Sequence, residues 1–138
     1  MFKRFAVTIA SILMITSIYV QSLTPVFNGY SNTYELYLEN NSSIARIITT
    51  DRVGYYLFPN VKGESCKVEK QGFNVYKFFE QMGAEILFIE TTEDVICYYA
   101  YSPNVKYHKQ VLGHTINLHV AVGENQVTLG APLIYGSF

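Results

Sequence analysis

The residues able to carry chemistry are few and scattered. Ser65, Ser102, Cys66 and Cys97 are the candidate nucleophiles, and His108, His114 and His119 the candidate bases. A nucleophile and its base need a local frame that brings them within hydrogen-bond reach. No G-x-S-x-G elbow, H-E-x-x-H helix, C-x-x-C pair or P-loop supplies one. His114 and His119 are five apart, so on a continuous strand they point to opposite faces and cannot share a metal. His108 and His114 would share a face only if Gly113 left the strand unbroken. Metal sites need three or four converging ligands, and no such set is clustered here. Glu85, Glu90, Glu93 and Asp94 border one hairpin, but no motif supports glycosidase-type acid pairing, and Glu93 and Asp94 read as turn residues. The expectation is no catalytic residue, no metal and no cofactor.

A binding surface is the remaining chemistry. The stretch "CYYAYSPNVKYHK" puts Tyr99 and Tyr101 on one strand face with Cys97, and Tyr98 on the other. Tyr107 and His108 follow in the next loop, beside Lys106 and Lys109. Clustered tyrosines with nearby lysines can make a platform for glycans, peptides or aromatic groups. The same text also reads as ordinary half-buried strand. A ligand surface, if present, is expected at Tyr99, Tyr101, Tyr107 and His108.

The elements that must position these residues are mostly strands. Tyr (12) and Phe (9) are abundant and Trp is absent, which favours sheet. Short β-type runs are predicted at 34–40, 44–50, 54–61 and 64–70, with Pro59 marking an edge or a bend. In 64–70, Ser65, Lys67 and Glu69 share one face, and Cys66 and Val68 the other. The period then changes. Val75, Phe78, Phe79 and Met82 fall at i, i+3, i+4 and i+7, the face of a short amphipathic helix over 75–82. Asn74 can cap its start and Gly83 its end. Further strands are predicted at 84–91, 95–102, 115–122 and 127–130, with an irregular stretch over 103–114. Val127, Leu129, Leu133, Ile134 and Phe138 can supply core side chains. The fold class is α+β: seven or eight strands in mostly antiparallel sheet, with the helix packed on one face.

The first residues read as an address. Lys3 and Arg4 precede an uncharged apolar run from Phe5 to Val20, and the next charge is Glu35. That is the order of an export signal. Sixteen helical residues span about 24 Å, short of a ~30 Å hydrocarbon core. Residues 1–22 are therefore expected to be a signal peptide cleaved after Ser22, or an uncleaved anchor holding the membrane through residues 5–20. Residues 23–33 read as a linker and 34–138 as a single domain. Cys66 and Cys97 could pair in an oxidising compartment, or remain two independent strand thiols.

The totals exclude some classes. With 138 residues and 49% hydrophobic content the chain can bury a core, so it is not a disordered tail. A net charge of −1 and a pI near 6.3 argue against a nucleic-acid partner.

The segment "INLHVAV…NQVTLGAPLI" resembles the C-terminal signature of the YwmB family of firmicute proteins, also labelled TATA-box-binding-protein-like. The matching positions are Asn117, Leu118, Val120, Ala121, Val127, Thr128, Leu129, Gly130, Pro132, Leu133 and Ile134. Members of that family tend to start with an export signal or anchor. This chain is much shorter than typical members, so the resemblance implies one half of their fold. The family offers no established reaction to transfer. Together these readings lead to an extracytoplasmic, non-enzymatic domain, secreted or tethered, that binds a protein or envelope ligand. The alternatives are a small extracytoplasmic hydrolase and a structural subunit that assembles through its C-terminal strand.

Overall fold

A computed structural model of the chain describes residues 2–39 and 46–136. Asn40, Ile44, Ala45 and Phe138, which the sequence placed in strands or core, lie outside the described residues.

The chain opens with helix α1 (Phe2–Ser22). Strands β1 (Thr33–Tyr37) and β2 (Ile47–Asp51) follow as a hairpin. After the single turn of helix α2 (Arg52–Tyr55) comes β3 (Gly63–Glu69). Helix α3 (Val75–Gln81) leads into the hairpin of β4 (Glu85–Thr91) and β5 (Ile96–Tyr101). A small separate hairpin, β6 (Lys109–Val111) and β7 (His114–Ile116), precedes the last hairpin, β8 (Leu118–Val122) and β9 (Gln126–Ala131). Seven strands form one antiparallel sheet in the order β2-β1-β3-β9-β8-β5-β4. The fold class is α+β, as expected.

Side chains alternate between the two faces, so each cross-strand row belongs to one face. One row runs Cys66, Leu129, Val120, Tyr98. This face carries the main core, and α3 lies on it through Phe78 and Phe79, each 2% exposed. The helix forms where the 3.6-residue period predicted it, with Asn74 Oδ1 accepting from Lys77 N–H at 2.9 Å. The opposite face carries the row Ser65, Gly130, His119, Tyr99, Phe88. It is closed by the segment after β9. Gly130 must lack a side chain there, because a Cβ would come within 2.5 Å of Ile134.

Four sequence expectations are corrected. The predicted strand 54–61 is instead α2 and a turn. Asp51 accepts from Gly54 N–H at 2.7 Å and caps a helical turn, and Pro59 stops any extension. The irregular stretch 103–114 contains β6 and the start of β7. The predicted strand 115–122 is split at Asn117, whose buried side chain bonds back to Ser102 and Val105. Finally, 23–33 is no linker: Phe27 is fully buried and stands in the main core.

Candidate functional site

The residues chosen for a platform do not converge. Tyr99 and Tyr101 share a face, as parity required. Tyr107 is buried in the core of the other face, and His108 is exposed in the loop beside it. Both faces of the Tyr99 ring are already occupied. Phe88 stacks on one side at 4.4 Å and 17°, and His119 on the other at 4.4 Å and 16°. No ligand ring can stack there, and the Tyr99 hydroxyl is spent on Glu90 at 2.9 Å. Tyr101 alone keeps an open ring, 40% exposed.

The candidate nucleophiles are likewise committed. Ser102 Oγ–H donates to Met82 O and accepts from Asn104 N–H. Ser65 Oγ accepts from the Tyr37 hydroxyl at 2.7 Å and donates to Glu35 at 3.3 Å. Cys66 and Cys97 are free and buried. They stand on opposite faces of the sheet, on β3 and β5, with β9 and β8 between. Three strand spacings of ~4.8 Å put them about 14 Å apart, twice the reach of a disulfide. The bridge that the compartment would have allowed is excluded by this register. Burial also pushes the Cys66 thiol up to about 12, so it is not a ready thiolate.

His119 is the buried histidine. Its Nδ1 accepts from Ile134 N–H at 3.2 Å, which fixes the segment after β9 onto the sheet. Burial pushes its pKa down to about 4. His114 lies tilted against Phe88, 5.5 Å between ring centres. Among the described residues no group of His, Cys, Asp or Glu could hold a metal ion.

The most unusual polar group is one the sequence reading passed over. Glu64 is fully buried on the main-core face, between Leu36 and Ala131 in register. A buried carboxyl costs several kcal/mol unless its oxygens are satisfied. Here they are: Oε1 accepts from the backbone N–H of Val26 and of Phe27, and Oε2 accepts from the Tyr55 hydroxyl. The Tyr55 and Tyr107 hydroxyls are 3.4 Å apart. Lys106 Nζ lies over both rings, at 6.0 and 5.1 Å. Burial raises the pKa of Glu64, outweighing the hydrogen bonds and the nearby Lys106, which act the other way. Burial likewise raises Tyr55 and Tyr107 beyond their ordinary range. The carboxyl and the two hydroxyls are buried and committed to one another. The cluster clamps three parts of the chain: residues 25–27, the α2 turn and the 105–107 loop. The signal was present in the sequence, since the parity that puts Ser65, Lys67 and Glu69 on one face also puts Glu64 on the other with Cys66.

A shallow cavity of about 290 Å³ adjoins this clamp, lined by Thr24, Pro25, Val26, Met82, Asn104 and Lys106. Another cavity, about 500 Å³, lies at the hairpin turns and includes Lys70, Glu93, Asp94 and Glu124. Neither brings a nucleophile to a base. Compared with family profiles, curated proteins and solved structures, the chain matches none.

Proposed function

We propose that this chain is a non-enzymatic extracytoplasmic domain, exported through α1 and tethered at the membrane where α1 is retained, that binds a protein or envelope ligand. One observation carries this reading: the apolar side chains of α1 are turned outward. Phe5, Val7, Leu13, Met14 and Ile15 are each 64–68% exposed, and Ile12 and Ile18 more than half exposed. A helix apolar all round finds its partner in a core or in lipid. Lys3 and Arg4 at its head give the charge order of an exported chain. Among the described residues no helix is long and apolar enough to cross a membrane. That fits a signal run better than a full span. The YwmB-like segment agrees with export, and on that likeness the sheet would be one half of a TATA-box-binding-protein-like fold. The net charge of −1 leaves nucleic acid disfavoured as the partner.

The test is topology. The full chain carries a C-terminal reporter active only outside the cytoplasm, and cells are fractionated into medium, membrane and cytosol. Reporter activity in medium or membrane is the expected result, and the fraction distinguishes cleavage from anchoring. An inactive, cytosolic reporter would overturn the reading.

A further inference from the structure

The α1 helix and the domain are joined with almost no slack. Only Leu23 and Thr24 separate Ser22, the last residue of α1, from the buried Pro25. Two residues span about 7 Å at most. Residues 26 and 27 are then fixed by the Glu64 carboxyl, and the other oxygen of that carboxyl holds Tyr55 of α2. The point where the chain leaves α1 and the α2 turn are thus tied to one side chain.

The outer side of that turn is unusual. While Tyr55 points inward at 2% exposure, Val53 and Leu57 are 76% and 77% exposed. Tyr56 is half-buried beside them, and Arg52 and Lys62 flank the turn as exposed cations. Lys106 adds a third over the Tyr55 ring. The one acid in the turn, Asp51, is turned onto Gly54 N–H as a cap. Exposed aliphatics with a tyrosine and a rim of cations are the composition of a surface that enters the lipid headgroup layer.

We propose that the α2 turn, through Val53 and Leu57, docks into the surface of an anionic lipid bilayer. This rests in part on the reading of α1 as a membrane address, since the short connection delivers this turn to the same bilayer. The turn carries its own apolar and cationic groups, so it would hold the domain on the surface after cleavage as well.

The chain has no tryptophan, so a single introduced indole reports one place. The full-length protein is made as three variants, Leu57→Trp, Ile12→Trp and Leu112→Trp. Leu112 is 75% exposed on the β6–β7 hairpin and serves as the distant control. Each is mixed with vesicles of phosphatidylcholine and phosphatidylglycerol, with and without brominated acyl chains. The expected result is a blue shift and bromine quenching for Leu57→Trp and Ile12→Trp, with Leu112→Trp unchanged. Adding Val53→Asp to Leu57→Trp should abolish most of the shift. Quenching at Ile12→Trp but not at Leu57→Trp overturns the docking and leaves the α1 reading standing. Quenching at Leu57→Trp but not at Ile12→Trp does the reverse. Equal quenching at Leu57→Trp and Leu112→Trp would show unspecific adsorption and also sink the docking.

Discussion

Glu64 and His119 are the two buried titratable side chains whose settings make opposite demands on pH. For Glu64, burial holds the folded acid above the ordinary carboxyl value of 4.5. The folded state then binds the proton more tightly, so its contribution is full below that value and is lost as pH rises through the folded pKa. For His119 the folded value falls from 6.5 to about 4. Its contribution is full above 6.5 and is lost as pH falls through about 4, by up to ~3 kcal/mol. Urea denaturation across this range should therefore show two opposed limbs. Glu64→Gln is expected to flatten the loss on the rising side, and His119→Gln the loss on the acid side. The slope is the readout, since His119→Gln also removes the stack on Tyr99. At neutral pH, Glu64→Gln keeps an oxygen for the Val26 and Phe27 amides and should cost about 1 kcal/mol. Glu64→Leu leaves both amides unpaired and the Tyr55 hydroxyl with only its long contact to Tyr107, and should cost about 3 kcal/mol by the same denaturation.

At the scale of elements, α3 and the segment after β9 can be tested separately. Asn74→Ala removes the cap on Lys77 N–H and should cost about 1 kcal/mol, read from the urea midpoint at unchanged m-value. Gly130→Ala places a methyl within 2.5 Å of Ile134 Cγ1 and 2.9 Å of its nitrogen. The segment must lift, which should cost about 1–3 kcal/mol and break the Ile134 bond to His119. Loss of that bond should appear as a shifted His119 imidazole resonance. The elements legible in the sequence were those with a long, clean period: α3, the two strands of the 84–102 hairpin, and β9. The α2 turn was missed because "GYYLFPNV" has strand composition while a single capping carboxylate, Asp51, decides its conformation. The split at Asn117 was invisible for a similar reason. Its side chain bonds residues 12 to 15 positions back in sequence, and no local pattern records that. The same limit explains the platform. Parity paired Tyr99 with Tyr101 correctly, but no parity carries through the loop that delivers Tyr107 to the other face.

For the whole molecule, the sheet order makes the cysteines a direct check on topology. Cys66 and Cys97, on opposite faces, should remain free even under oxidising conditions. Mass analysis after thiol blocking should find both unmodified in the native protein and both modified in denaturant, with the same unfolding curve with or without reductant. A crosslinked species would contradict the strand register. The register also fixes where the final strand sits. β9 is bonded to β3 on one edge and to β8 on the other, so it has no free edge to offer a neighbour.

That central placement of β9 has a consequence for how the chain is made. The strands β2, β1 and β3 form one half of the sheet and β8, β5 and β4 the other, and β9 alone stitches them. A chain emerging from a channel in order from its N-terminus presents both halves before the stitch arrives. Until residues 126–131 are through, the sheet has no closed form to adopt, because the pairing of Glu64 with Ala131 spans nearly half the chain. A polypeptide arranged this way stays threadable for almost its whole length. Its locking step is set by a late strand, so the sheet closes only once nearly the whole chain is available.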